Sequence, residues 1–141
     1  MQLYEATRQD EEIVYSFVCM LEATIFDREV FHDSWTQVGE DTSITYYLLR
    51  EGDVYVGLCS LRFVLHLHHC DMVAQMEEFI VDTTYRHQGY GTYMFYKIKE
   101  IAIQKGCHHI ECSSHEKRCG AHAFYEQVGM KKQHYKFTLP L

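Results

Sequence analysis

The sequence predicts a single α/β domain, residues 1–141, in which helices flank a mixed, mostly antiparallel central sheet. Two kinds of segment alternate along the chain. Short segments that are apolar, or that alternate apolar and polar residues, are typical of strands, and longer segments have apolar residues at helical spacing. The chain has 141 residues, of which 47% are hydrophobic and 23% charged, enough for one buried core. We see no repeat or linker that would divide it. The expected element order is βααβββαβαβ.

The first half of the chain is predicted to hold a strand, two helices and a hairpin. Thr7 can cap the first helix, with Asp10 three residues later as in a capping box. A turn at Glu51-Gly52-Asp53 joins the two hairpin strands. The expected elements are a strand at Gln2–Ala6, a helix to about Ile25, a short helix within Phe26–Gly39, and strands at Ile44–Arg50 and Val54–Leu67.

The second half is predicted to alternate strands and helices. Its clearest helix has an apolar stripe at helical spacing and ends at Gly106, a typical capping residue. The final segment alternates polar and apolar residues, as a strand does. The expected elements are a strand at Met72–Val81, a helix at Gly91–Lys105, a strand at His108–Cys112, a helix at Arg118–Val128 and a strand at Met130–Leu139.

Composition narrows the classes of partner. The formal net charge of −7 argues against nucleic acid, which requires a basic surface. No apolar run is long enough to cross a membrane, and the first residues do not resemble a signal peptide. The six cysteines include no Cys-x-x-Cys pair, so we expect reduced thiols in a cytoplasmic protein. Whether the chain forms a homodimer stays open.

The stretch Arg86-His87-Gln88-Gly89-Tyr90-Gly91-Thr92 predicts an anion site. It follows an apolar strand and opens a helix, so the unpaired N–H groups of the first helical turn can hold phosphate. A nucleotide-triphosphate loop would need Gly-Lys-Ser/Thr, and no lysine is present there. A dinucleotide fingerprint would need a third glycine where Met94 stands.

The remaining pattern, Arg-x-x-Gly-x-Gly, resembles the coenzyme A pyrophosphate loop of the GNAT acetyltransferase superfamily. The segment Ala121–Met130 is similar to the family's Ala-x-x-Phe-Tyr-x-x-x-Gly-Phe, although Arg118 replaces the asparagine that usually precedes it. Within the superfamily, Leu65-His66-Leu67-His68-His69, Glu78 and Lys117-Arg118 resemble the bacterial aminoalkylphosphonate N-acetyltransferases.

This resemblance implies a cosubstrate and a pair of catalytic groups. Acetyl-CoA would lie where the Met72–Val81 strand splays from its neighbour. Glu78 would take a proton from the acceptor amine and Tyr125 would return one to the thiolate, because the amine is mostly protonated at neutral pH. The residues expected to bind acetyl-CoA are Phe79 and Val81 with pantetheine, and Arg86, Gln88, Gly89, Gly91 and Thr92 at the pyrophosphate.

The acceptor side is predicted from a cluster of basic residues. His66 and His68 alternate on one strand face, about 7 Å apart by strand rise. They can hold a phosphonate or, with Glu78, a divalent metal; a plain polar strand face is the competing interpretation. Glu77 and Glu78 are adjacent on a strand, so we expect them to face opposite ways. The expected acceptor-binding residues are Arg62, His66, His68, His69 and Arg118.

Three functions stay open from the sequence. The first is acetylation of a small-molecule amine, most specifically an aminoalkylphosphonate. The second is acetylation of a peptide or protein amine, which the short chain and the histidine-rich acceptor side disfavour. The third is a non-catalytic CoA-binding or regulatory module, which could have lost Glu78 or Tyr125, although both are present.

Overall fold

The computed structural model describes all residues, Met1–Leu141, and they form two compact units, residues 1–111 and residues 112–141. The first unit contains the sheet and three helices, and its last strand ends on the first residue of the second unit. The elements are β1 Gln2–Glu5, α1 Glu11–Glu22, α2 Arg28–Val38, β2 Ile44–Glu51, β3 Val54–His66, β4 Asp71–Val81, α3 Tyr90–Gln104, β5 His109–Cys112 and, in the second unit, α4 Cys119–Gln127.

The capping box predicted at Thr7 forms. The Thr7 hydroxyl accepts a hydrogen bond from the backbone N–H of Gln9 at 3.3 Å, and the Asp10 carboxylate accepts one from the N–H of Thr7 at 2.7 Å. A short 3₁₀ turn, Arg8–Asp10, then leads into α1. The helix stops earlier than predicted, because Ala23 is left-handed with φ 50° and caps it.

The five strands form one sheet in the order β1-β2-β3-β4-β5. The first four are antiparallel neighbours. Strand β5 runs in the same direction as β4, since His108 N–H donates to the Met72 carbonyl and Gln75 contacts Glu111. The mixed, mostly antiparallel sheet predicted from the sequence is confirmed. Because β5 ends at Cys112, the last residues of β4 extend beyond it.

Helices α1 and α2 cover one face of this sheet. Leu48, Leu58 and Ile80 are cross-strand neighbours on that face, and all three are buried. They pack in one cluster with Val14 and Phe17 of α1 and with Trp35 of α2. The polar residues of the candidate site, described below, lie on the same face of the sheet as this cluster.

Helix α3 packs on the opposite face. Its Met94 is fully buried and lies against Gly57 of β3. A Cβ atom on Gly57 would lie 2.9 Å from the Ile80 carbonyl oxygen and 3.3 Å from the Met94 sulfur. The missing side chain therefore lets α3 approach the sheet closely.

The final strand predicted at Met130–Leu139 is not formed. Residues 130–141 have no regular secondary structure, and Tyr135, Phe137 and Leu139 are 84%, 92% and 82% exposed. Their alternation has the period of a strand, but a strand also needs a neighbour to accept its backbone hydrogen bonds. The sequence pattern shows the two-residue period of a strand, but it does not show which other strand would pair with it.

Two further observations bear on the partner classes. All six cysteines are free thiols. None of the helices combines the length and the apolar character that crossing a membrane would require.

Candidate active site

A β-bulge in β4 organises the polar residues of the site. In the register between β3 and β4, Cys59 lies opposite Phe79 and Leu61 lies opposite Met76. One residue of β3, Ser60, therefore faces two residues of β4, Glu77 and Glu78. A bulge of this kind bends a strand and changes the direction of its side chains, and bulges are common next to active sites.

The bulge corrects the prediction that Glu77 and Glu78 face opposite ways. Glu78 bonds to Ser60, and Glu77 bonds to Arg62 with 2.8 Å between Oε1 and Nε. Ser60 and Arg62 are two residues apart on β3 and so share a face. In a regular strand, side chains alternate between the two faces, so the two neighbouring carboxylates would lie on opposite faces. The extra residue of the bulge interrupts this alternation. Both acids thus lie on the face covered by α1 and α2.

Ser60 and Tyr46 complete the surroundings of Glu78. The Ser60 hydroxyl donates a hydrogen bond to the Glu78 carboxylate and accepts one, at 3.0 Å, from the Glu78 backbone N–H. Tyr46 lies opposite Ser60 in the β2–β3 register, and its side chain hydrogen-bonds to Glu78. The Tyr46 ring packs edge-on against Trp35, with 5.2 Å between ring centroids.

Neither of these two partners of Glu78 was predicted from the sequence. Ser60 is completely buried and is a polar residue inside the otherwise apolar run of β3 around Leu58 and Leu61. A buried hydroxyl almost always has a hydrogen-bond partner. The position of Ser60 within an apolar strand was therefore the signal in the sequence for a polar partner on a neighbouring strand. Nothing in the sequence around Tyr46 marks it, because tyrosine is common in strands.

Burial raises the pKa of the Glu78 carboxyl above its usual value, because desolvation disfavours the charged form. The negative charge of Glu77 acts in the same direction, while the hydrogen bonds from Ser60 and Tyr46 oppose it. Burial also raises the pKa of Tyr46, with Glu78 adding to the effect. A half-buried carboxylate with a raised pKa is suited to accept a proton near neutral pH.

Arg62 is the cation nearest to this carboxylate along β3. Its guanidinium pairs with Asp41 at 2.6 Å and with Glu77 at 2.8 Å. The pKa of the Asp41 carboxyl is lowered to about 2. The hydrogen bond from Ser43 is the largest cause, and the contact with Arg62 is the second. Arg62 is therefore fixed in place by two carboxylates, on the same face as Glu78.

The glycine loop joins β4 to α3 with the backbone geometry that anion binding needs. Gly89 is left-handed, with φ 89°, and precedes α3 without any side-chain cap. The N–H groups of Tyr90, Gly91 and Thr92 are therefore directed out of the first helical turn, where no carbonyl of the helix can reach them. The helix starts at Tyr90, one residue earlier than predicted.

Two side chains hold this loop together. The Nε atom of Arg86 donates to the Val81 carbonyl at 3.2 Å, and the Gln88 amide donates to the Thr84 carbonyl at 3.1 Å. His87 adopts φ 60°, so the chain turns sharply just before Gly89. Arg86 and Gln88 thus shape the loop, in addition to the role in pyrophosphate binding that we expect of them.

Tyr125 and Arg118 belong to the second unit. Tyr125 lies in α4, is half-buried, and packs edge-on against Phe124 with 5.6 Å between ring centroids. Arg118 precedes α4 at the N-cap position without a side-chain capping bond. Their roles as general acid and acceptor ligand stay predictions.

The histidines form a cluster at the turn between β3 and β4. Strand β3 ends at His66, and the chain turns through His68 and His69, so the ring centroids of His66 and His68 are 5.0 Å apart rather than the expected 7 Å. His66 is six residues from Ser60, which corresponds to about 20 Å of strand. The expected metal set of His66, His68 and Glu78 is therefore wrong: Glu78 lies at the bulge, far from the turn.

The comparisons with known proteins identify the family of this chain. The model of the Acetyltransferase (GNAT) family matches residues 2–130, and the chain belongs to this family; it is an acetyl-CoA-dependent N-acetyltransferase. The chain is 35% identical over 99% of its length to the aminoalkylphosphonate N-acetyltransferase of Salmonella typhimurium, covering 91% of that protein.

Solved structures show the same fold. A transcriptional regulator from Bacillus halodurans superimposes with a TM-score of 0.88 at 22% identity, with 99% of each chain covered. AAC(6')-Iy, in complex with the bisubstrate analog CoA-S-monomethyl-acetylneamine, superimposes with a TM-score of 0.85 at 10% identity, covering 99% of this chain and 97% of that one.

Proposed function

We propose that the protein transfers the acetyl group of acetyl-CoA to the primary amine of an aminoalkylphosphonate. The observation that carries this proposal is the 35% identity, over nearly the whole chain, to a protein with that activity. The half-buried carboxylate of Glu78, on the strand that leads into the glycine loop, supplies a group suited to the chemistry.

Glu78 serves as the general base. An alkyl ammonium has a pKa near 10, so a proton must leave before the nitrogen can attack the thioester carbonyl. The carboxylate of Glu78 takes this proton, directly or through a water molecule. Attack forms the carbon–nitrogen bond of a tetrahedral intermediate, whose nitrogen still carries one surplus proton and releases it to water. Collapse of the intermediate then breaks the carbon–sulfur bond and leaves the amide. Ser60 and Tyr46 orient the carboxylate through their hydrogen bonds.

Tyr125 serves as the general acid. The electron pair of the broken bond leaves on the sulfur of CoA, and the Tyr125 hydroxyl supplies the proton that converts this thiolate to a thiol. The family motif around Phe124 and Tyr125 supports this assignment, since it is present in full apart from Met130 at its last position. No covalent enzyme intermediate is required.

Acetyl-CoA is held by backbone groups. Amides of Gln88, Gly89, Gly91 and Thr92 bind the pyrophosphate at the positive end of the α3 dipole. Backbone groups of Phe79 and Val81, near the end of β4, pair with pantetheine. The extension of β4 beyond the end of β5 supports this, because a strand without a neighbour on one side can pair with an extended ligand.

Arg62 holds the phosphonate. It is fixed on the same face as Glu78, and a guanidinium is well matched to a tetrahedral oxyanion. Arg118 is a second candidate from the family motif. The histidines at the β3–β4 turn do not fit this role, since an aminoalkylphosphonate is only a few bonds long and about 20 Å of strand separates them from Ser60.

An acceptor screen tests this proposal. Thiol release from acetyl-CoA is followed with aminomethyl- and aminoethylphosphonate, amino acids, polyamines and short peptides. We expect the highest kcat/KM with a phosphonate, and a much lower value with the matching amine that lacks the phosphonate group. Preference for a peptide amine, or equal use of the amine without phosphonate, would overturn the acceptor assignment.

A further inference from the structure

Glu77, the second carboxylate at the bulge, has no part in the chemistry described above. Its Oε1 atom accepts a hydrogen bond from Nε of Arg62 at 2.8 Å. We propose that Glu77 binds the ammonium group of the acceptor before Glu78 takes its proton. This role rests on the proposed function, since it concerns the same acceptor and the same base.

The pair of Arg62 and Glu77 has one unused polar atom on each side. Arg62 donates from Nε to Glu77 and from Nη1 to Asp41 and Ser43, so its Nη2 atom donates to no other residue. Glu77 accepts through Oε1 alone, which leaves Oε2 without a hydrogen bond. The two side chains are 28% and 37% exposed, so a small molecule can reach both.

A zwitterion is complementary to such a pair. Its ammonium group can donate to Oε2 of Glu77 while its oxyanion accepts from Nη2 of Arg62, and both contacts are charge-assisted hydrogen bonds. An aminoalkylphosphonate carries these two groups a few bonds apart. The ion pair therefore recognises the acceptor at both ends, whereas Arg62 alone would recognise only the phosphonate.

The bulge places this pair beside the proposed base. Glu77 and Glu78 lie together opposite Ser60, and Arg62 is two residues further along β3, about 7 Å by strand rise. Glu78 interacts electrostatically with both Glu77 and Arg62, as this placement requires. An ammonium group held by Glu77 is thus next to the carboxylate that removes its proton.

The charges of this face favour the protonated amine. Asp41, Glu77 and Glu78 are acidic, and Arg62 is the cation that pairs with the first two. A phosphonate with a neutral amine would only add negative charge here, whereas an ammonium group offsets it. The ammonium form is also the abundant one at neutral pH, since its pKa lies near 10. Glu77 thus binds the abundant form, and Glu78 deprotonates it in place.

Glu77→Gln tests this role, because glutamine keeps the shape of the side chain and removes its charge. The KM values for aminoethylphosphonate and for ethylamine should both rise by about 10-fold or more, since each loses its ammonium partner. The inhibition constant of ethylphosphonate, which has no ammonium group, should not rise. The acidic limb of the kcat/KM profile should move to lower pH, because Glu78 loses a neighbouring negative charge.

Two further variants serve as comparisons. Glu77→Asp keeps the charge, so it should return the acidic limb toward its position in the parent. Glu111→Gln removes an exposed carboxylate from β5 and is the matched control, which should leave both KM values and the pH profile unchanged.

Two results would overturn the role of Glu77. One is an unchanged KM for aminoethylphosphonate in Glu77→Gln. The other is an acidic limb that stays in place or moves to higher pH, as expected if Glu77 only holds Arg62, whose charge lowers the pKa of Glu78. Either result leaves the proposed function intact, because the parent would still acetylate the phosphonate. A parent that acetylates no phosphonate would overturn both.

Discussion

Ser60 contacts Glu78 at two points: its hydroxyl donates to the carboxylate and accepts from the backbone N–H of the same residue at 3.0 Å. The serine thereby sets both the backbone position of Glu78 within the bulge and the direction of its side chain. A hydrogen bond to the ionised form also lowers the pKa of a carboxyl group, and here it partly offsets the effect of burial.

Ser60→Ala should therefore shift the pH dependence of catalysis. Without the hydroxyl, the pKa of Glu78 rises further, and the acidic limb of the kcat/KM profile moves to higher pH. At pH values above this limb, turnover should recover toward that of the parent. A purely structural role would lower activity equally at all pH values. Ser34→Ala, which removes an exposed hydroxyl in α2, should leave the profile in place.

Glu78→Gln should separate activity from stability. Turnover should fall by about 10²–10⁴-fold, the usual contribution of a general base. Because the pKa of Glu78 is raised in the folded state, the folded protein loses stability as pH rises from the usual glutamate range through the folded pKa. The uncharged variant lacks this loss.

Thermal unfolding of this variant should thus show a Tm at pH 7 equal to or above that of the parent, and the advantage should disappear in acid. Glu100→Gln, on the exposed side of α3, is the control and should retain full turnover. Normal turnover of Glu78→Gln across the pH range would remove Glu78 as the base.

Tyr125→Phe should lower turnover by about 10²–10⁴-fold, because the ring is retained and only the acidic hydroxyl is lost. The affinity for acetyl-CoA, measured by calorimetry, should hardly change. Tyr135→Phe is the matched control, since that side chain is 84% exposed in the C-terminal segment. Near-normal turnover of Tyr125→Phe would assign Tyr125 to packing alone.

Gly89→Val should abolish acetyl-CoA binding. Gly89 has φ 89°, which valine adopts only with strain, so the substitution would distort the backbone that leads into the amides of the first turn of α3. Gly52→Val introduces a comparable strain at φ 58° in the hairpin between β2 and β3. Both variants should lose stability, and only Gly89→Val should lose CoA affinity in calorimetry; equal affinities would contradict the loop assignment.

Arg62→Gln should raise the KM for aminoethylphosphonate at least 10-fold, because the buried phosphonate charge would lose its counter-ion. The KM for acetyl-CoA should stay the same. Ethylamine, which has no phosphonate, serves as the internal control and should be used equally by parent and variant. A similar loss with both amines would mean that Arg62 acts by holding Asp41 and Glu77 in place.

The order of the nine helices and strands could be predicted, and so could the start of α3 to within one residue, because local signals mark them: the capping box at Thr7 and the glycines that flank α3. The environment of Glu78 could not. It depends on a register shift between β3 and β4, and on Tyr46, which is distant in sequence. The prediction of the last strand was wrong for the same reason. The alternation at Tyr135 and Phe137 is a local pattern, whereas a strand also needs a pairing partner that is distant in sequence.

The bulge has a consequence for how this site can change over evolutionary time. Before it, Gln75 of β4 shares a face with Arg62; after it, Ile80 shares that face with Leu58. The sheet itself would be regular with one residue fewer at Glu77 and Glu78, and every other cross-strand neighbour would be kept. A single codon deletion at this point would therefore preserve the scaffold and leave one glutamate opposite Ser60, so the extra residue adds the second carboxylate of this face and is not needed for the fold.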